Sequence, residues 1–199
     1  MKKYFVNIIA SLMIILATLS SCKDKEDDNN TVTPITMITE ISRISLDIAG
    51  SGEVTIEWGD GTSETYTLSN NWKNPYSPLA PKTHEYSGTS THIITITGEN
   101  ITHLYCNSNE LTDLDVSKNT TLTVLFCGYN QLTDLDVSRN TVLTYLYCSY
   151  NLLSTDALNA LFRTLHSNMI DRKALSINNN PGTDTCDQMI ATDKGWSFW

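Results

Sequence analysis

Three consecutive stretches of the chain, "ITHLYCNSNELTDLDVSKNTT" (101–121), "LTVLFCGYNQLTDLDVSRNTV" (122–142) and "LTYLYCSYNLLS" (143–154), align without a gap at a period of 21 residues. Leu104, Leu125 and Leu146 coincide, as do Cys106, Cys127 and Cys148, and Asn109, Asn130 and Asn151. One such unit is too short to bury its own apolar row, whereas stacked units share a single core. Repetition therefore limits this region to a stack of near-identical turns. Within "HLYCN", alternation sends Leu104 and Cys106 inward and His103, Tyr105 and Asn107 outward. Asn109, Asn130 and Asn151 are expected to turn the chain after each strand, their amides bonding backbone of the neighbouring turn.

The pattern resembles the leucine-rich repeat, written LxxLxLxxN with Cys tolerated at the last apolar place. The second half of each unit carries the same frame, Leu111, Leu114, Val116, Asn119 and then Leu132, Leu135, Val137, Asn140, as in the nested short-period bacterial class. The resemblance spans roughly residues 101–180. The three repeat cysteines read as small buried hydrophobes rather than as a disulfide or metal set, because parallel in-register side chains lie about 4.8 Å apart, beyond the disulfide Cβ separation of about 3.8 Å.

Upstream the period changes to two. "ISLDI" places Ile44, Leu46 and Ile48 on one face, "VTIEW" does so with Val54, Ile56 and Trp58, Asp60-Gly61 supplies a tight turn into "TSETYTL", and "THIITITG" is a further strand. Trp58-Gly59-Asp60-Gly61-Thr62 with "HEYSGTSTHIITITG" resembles the PKD-like family of immunoglobulin-type sandwiches over about 34–99. The Gly-Asp-Gly could hold calcium, but a hairpin requiring positive φ explains it without a metal. Since Ile101 already takes the place of Leu122 and Leu143, the β region passes straight into the first repeat and is expected to cover its open end. The loop 69–82, with Trp72 and Tyr76, suits either a binding loop or a flap over the core edge.

After Leu153, Ser154 or Thr155 can cap a helix carrying Leu158, Leu161, Phe162 and Leu165 at i, i+3, i+4 and i+7. "KALSINNNPG" then replays the frame with Leu175, Ile177 and Asn180, and a second helix is expected near 184–191 before "GWSFW". The expected fold class is thus mainly β with C-terminal helices: a PKD-like domain at 34–99, repeats at 100–153 and a C-terminal cap at 154–199.

The first residues carry a different message. Lys2 and Lys3, an apolar run from Phe5 to Leu19 and the ending Leu19-Ser20-Ser21-Cys22 form a secretory signal (1–21) whose last four residues resemble a bacterial lipobox, with Cys22 the lipidated residue. "KDKEDDNNT" within the tether 22–33 is acidic and solvated, and resembles the surface-export signal of Bacteroidetes lipoproteins. The implied location is the outer membrane, lipid-anchored and facing outward, with a periplasmic orientation the alternative. Removing 1–21 takes away two lysines and no acid, so the net charge moves from −9 to −11. Such a field repels nucleic acid.

Candidate chemistry is sparse. His84, His92, His103 and His166 fall at unrelated places, and no nucleophile elbow, phosphate loop or His/Cys metal spacing is present, so neither enzyme activity nor a cofactor is expected. Binding is better supported. Tyr105, Phe126 and Tyr147 share one outward repeat position, with His103, Val124, Tyr129, Tyr145 and Tyr150 beside them; such rings give low-entropy contact area for a protein, a matrix component or the apolar face of a glycan. They would also favour strand pairing alone, by about 0.2–1 kcal/mol per pair, as in a purely structural spacer. Asp113, Asp115, Asp134 and Asp136 form acidic rows, for which Lys118 and Arg139 are the expected compensation and a weakly held cation the alternative.

Overall fold

A computed structural model describes residues 34–69, 81–88 and 90–199. The signal-like segment, Cys22, the tether through residue 33, Trp72 and Tyr76 lie outside the described residues. In chain order the elements are β1 (Ile35–Thr39), β2 (Arg43–Glu57), β3 (Ser63–Thr67), β4 (Lys82–Glu85), β5 (His92–Tyr105), β6 (Asp113–Asp115), β7 (Val124–Phe126), β8 (Tyr145–Tyr147), α1 (Thr155–Thr164), β9 (Ala174–Ser176), α2 (Met189–Thr192) and β10 (Ser197–Phe198). The described chain is mainly β, built on a mixed sheet.

The stretches "ISLDI" and "VTIEW", expected as separate strands, are one 15-residue strand. Both halves of β2 pair antiparallel with β5, Asp47 opposite Tyr105 and Glu57 opposite Thr95, and register shifts between Ala49 and Val54 absorb the bend. Gly50 sits there because a Cβ at this position would lie 1.9 Å from the Asn100 carbonyl oxygen. β5 is likewise one strand carrying both "HIITITG" and the first repeat's "THLY", so the boundary expected at residues 99/100 falls inside a continuous element. β1 pairs antiparallel with β5 on one edge (Ile35 opposite Ile96) and with β6 on the other (Met37 opposite Leu114). β1 and β2 thus lie against both halves of the first repeat.

Beyond β5 the sheet turns parallel. Leu104, Leu125, Leu146 and Leu175 are successive partners across β5, β7, β8 and β9, and all four are fully buried. The final step is longer than 21 residues because α1 is inserted before β9. Ser154 caps α1 by accepting from the Ala157 amide, and Leu158, Leu161 and Phe162 turn into the core. At its other end the Lys194 ammonium donates to the carbonyls of Phe162, Arg163 and Leu165 at 3.1, 2.6 and 2.7 Å, groups a helix end leaves open. The second helix is shorter than expected, Met189–Thr192, since the chain from Gly182 to Cys186 is spent on turns, with Thr183 donating to Asn180 and Cys186 to Gly182. A single apolar cluster runs from Ile35 and Trp58 through the repeat leucines to Trp196.

Candidate recognition surface

The aromatic face depends on how each turn is fixed to the next. Asn130 Oδ1 accepts from the amides of Asn109 and Leu111, both at 3.0 Å, while its Nδ2 donates to the carbonyls of Cys106, Cys127 and Gly128 at 3.0, 3.0 and 3.2 Å. Asn151 and Asn180 repeat the arrangement one and two turns further on. Asn109 has no repeat before it and pairs with Ser45 of β2 instead, accepting at 2.9 Å and donating at 2.8 Å. The strand β2 takes the place of a preceding turn, with peptide groups that would otherwise be orphaned satisfied on both sides. In the second half of the unit Asn140 donates to the carbonyls of Val116 and Asn119.

On this frame the rings fall into two rows. Tyr105, Phe126 and Tyr147 stack with centroids 4.7 and 5.5 Å apart and planes within 21°. The row begins at Asp47, opposite Tyr105, and ends at Ser176, opposite Tyr147. Phe126, expected as contact area, is only 8% exposed and Val124 only 4%. This is a correction with a plain cause: Phe126 is sandwiched between two tyrosine rings, and the short Val124 is overtopped by His103 and Tyr145, its register partners. His103, Tyr105, Tyr145 and Tyr147 are half-buried, with Tyr145 edge-on to Trp199 at 6.4 Å.

The second row is the open one. Tyr129 and Tyr150 stack at 4.2 Å with planes 9° apart and are 50% and 43% exposed, beside Leu152 at 51%. Both occupy left-handed backbone, φ 54° and 57°, and so do their repeat equivalents Ser108 and Asn179 at 57° and 59°. Asn tolerates that region, but a bulky ring there is uncommon and costs on the order of 1 kcal/mol. Tyr147 links the rows, its centroid 6.4 Å from that of Tyr129. Burial first, then the hydrogen bond with Tyr129, pushes its phenol up to about 12. Gly128 makes room for this ring, which a Cβ would meet at 2.2 Å.

The acidic rows are steadied mainly by their own turns. Asp115 and Asp136 accept from the amides of Ser117 and Ser138 at 2.8 and 2.7 Å. Ser117, by hydroxyl and amide, holds the Asp115 carboxyl below its ordinary value, and Lys118 adds a smaller effect. Among the described residues no ion pair joins Lys118 or Arg139 to these aspartates, and no three His, Cys, Asp or Glu side chains gather as a cation site. The thiols of Cys106, Cys127 and Cys148 are free and buried. Burial pushes the Cys106 thiol up to about 12 and the others well above their ordinary value, so none supplies a thiolate.

Two features of the β region carry no local signal in sequence. Trp58, His84, Tyr86 and His92 form a run of ring contacts, Trp58 stacked on His84 at 4.9 Å, His84 edge-on to Tyr86 at 4.7 Å and Tyr86 stacked on His92 at 3.7 Å. Asp60, in the Trp58–Thr62 turn, accepts from Thr62 by hydroxyl (2.6 Å) and amide (2.9 Å) and lies 2.7 Å from His84 Nε2. These bonds hold its carboxyl well below the ordinary range. Here the carboxylate separates hydroxyl from imidazole, so the histidine is not placed to take the hydroxyl proton and the group is a staple between turn and β4. The second feature is Asp47, 6% exposed, with Oδ1 unpartnered among the described residues; burial pushes its carboxyl up to about 6.

No helix among the described residues is long and apolar enough to cross a membrane. No protein-family model, curated protein or solved structure matches the chain.

Proposed function

We propose that this chain is a non-catalytic surface recognition protein: a lipid-anchored outer-membrane lipoprotein carrying a PKD-like β domain and a short leucine-rich-repeat solenoid whose aromatic face binds a protein partner. The observation that carries this reading is the Tyr129–Tyr150 pair, half exposed, stacked at 4.2 Å and held at positive φ. A spacer would gain stability from Gly or Asn at these two positions, and retaining rings at a backbone cost argues for use of the rings. The in-register leucines and asparagine ladder support the repeat reading, and the hairpin at Asp60 with its antiparallel neighbours supports the PKD-like one.

The test is capture from a panel of purified extracellular proteins and glycans by the full chain and by Tyr129→Gly and Tyr150→Gly. Glycine suits both backbone sites, so the variants keep their unfolding midpoints while losing capture. Capture unchanged in both variants contradicts the proposal. For the anchor, Cys22→Ser abolishes incorporation of labelled palmitate; unchanged labelling contradicts lipidation.

A further inference from the structure

The Tyr129–Tyr150 row is incomplete in a specific way. Ser108, Tyr129 and Tyr150 are equivalent: each has positive φ, and their amides donate to Gly128, Ser149 and Asn178, one turn further along, at 3.1, 3.0 and 2.8 Å. Tyr150 covers one face of Tyr129, but on the other side the row continues with Ser108, which has no ring. The Ser108 side of Tyr129 is therefore an open aromatic face one repeat wide, about 4.8 Å, close to the spacing of a stacked planar group.

Charge selects what fits there. Residues 101–110, 122–131 and 143–152, the strand-and-turn halves of all three repeats, contain no Lys or Arg. They do contain Glu110, two residues past Ser108, exposed, held at φ 52° and without an ion pair among the described residues. An open ring face presents the negative side of its quadrupole, and the chain bears a net charge of −9. A guanidinium is flat enough to extend the stack and is a bidentate match for a carboxylate at its edge. Resting on the recognition reading above, we infer that Tyr129, Ser108 and Glu110 form a subsite for an arginine side chain of the protein partner, its guanidinium stacked on Tyr129 and paired with Glu110.

The test uses calorimetric titration of the full chain with a short acetylated peptide containing two arginines, the same peptide with citrulline in their place, and a neutral glucan hexasaccharide. The arginine peptide binds at least five-fold more tightly than the citrulline peptide, and added salt narrows the gap. Glu110→Gln and Tyr129→Gly each remove most of that preference. Ser108→Tyr adds a ring the row already accommodates at Tyr129 and Tyr150; it covers the face and abolishes the preference while the unfolding midpoint holds. Equal binding of the two peptides, preference intact in Ser108→Tyr or in Glu110→Gln, or binding of the hexasaccharide alone overturns the subsite. If partner capture depends on Tyr129 and Tyr150 yet ignores Glu110→Gln and Ser108→Tyr, the recognition reading stands and the arginine subsite falls.

Discussion

Replacing Asn130 by alanine isolates the contribution of one turn-to-turn clamp. Its amide makes five hydrogen bonds, and the losses are unequal. The Gly128 carbonyl keeps its bond from the Ser108 amide, and that of Cys127 keeps Asn151. The amides of Asn109 and Leu111 have Asn130 Oδ1 as their acceptor and, with Leu111 fully buried and Asn109 nearly so, are left unsatisfied. At about 1–3 kcal/mol per orphaned buried group, two amides and the Cys106 carbonyl give a loss of about 3–9 kcal/mol, tempered toward the lower end where water reaches the site. That is a large part of the roughly 5–15 kcal/mol that holds a domain of this size folded. Asn109→Ala removes two bonds, to Ser45, in a partly buried site and costs about half as much. Urea unfolding followed by tryptophan fluorescence and far-ultraviolet circular dichroism gives both values, with slopes unchanged if the transition stays two-state. A loss below about 1 kcal/mol for Asn130→Ala, or a larger loss for Asn109→Ala, refutes the clamp.

Leu125→Ala opens a cavity between Leu104 and Leu146 and loses about 2–5 kcal/mol in the same assay; a loss under about 0.5 kcal/mol contradicts a shared core. Asp47→Asn tests the buried carboxyl. With a folded value near 6 against an ordinary 3.8, the native state holds the proton more tightly, so the contribution of Asp47 to stability is fully present below about pH 4 and is lost as pH rises through 6. The asparagine variant matches wild type at low pH and gains about 1–2 kcal/mol above pH 7, a figure discounted for solvent screening. A stability difference that does not vary with pH rules out the buried charge as its source.

The repeat register was legible because it is local arithmetic: a 21-residue translation carries Leu104 onto Leu125 and Leu146, and adjacent strands of the fold pair them so. A helix cap at Ser154 or Thr155, of which the fold uses Ser154, and the replayed frame ending at Asn180 were legible from short local motifs. The unity of β2 was not, because the bend near Gly50 is settled by the Asn100 backbone of a strand far along the chain. Alternation placed Phe126 on the outer side of its strand but could not say that rings from the adjacent turns would cover it. Positive φ at Tyr129 and Tyr150 left no mark, since the residues that usually announce it, Gly and Asn, are absent from both positions. The staple between Asp60 and His84 joins residues 24 positions apart with no motif between them.

The account stands on Tyr129 and Tyr150 standing more open than the neighbouring row of Tyr105, Phe126 and Tyr147, and tyrosine nitration mapped by mass spectrometry reads this directly. Nitration needs both access and an ionised phenol. Tyr129 and Tyr150 are predicted to react first, while Tyr147, half-buried with its phenol raised to about 12, and Tyr86, buried with its phenol raised to about 12, lag well behind. Tyr129 or Tyr150 protected to the level of Tyr86, or all these tyrosines reacting at one rate, would contradict the stacked arrangement and the recognition face with it.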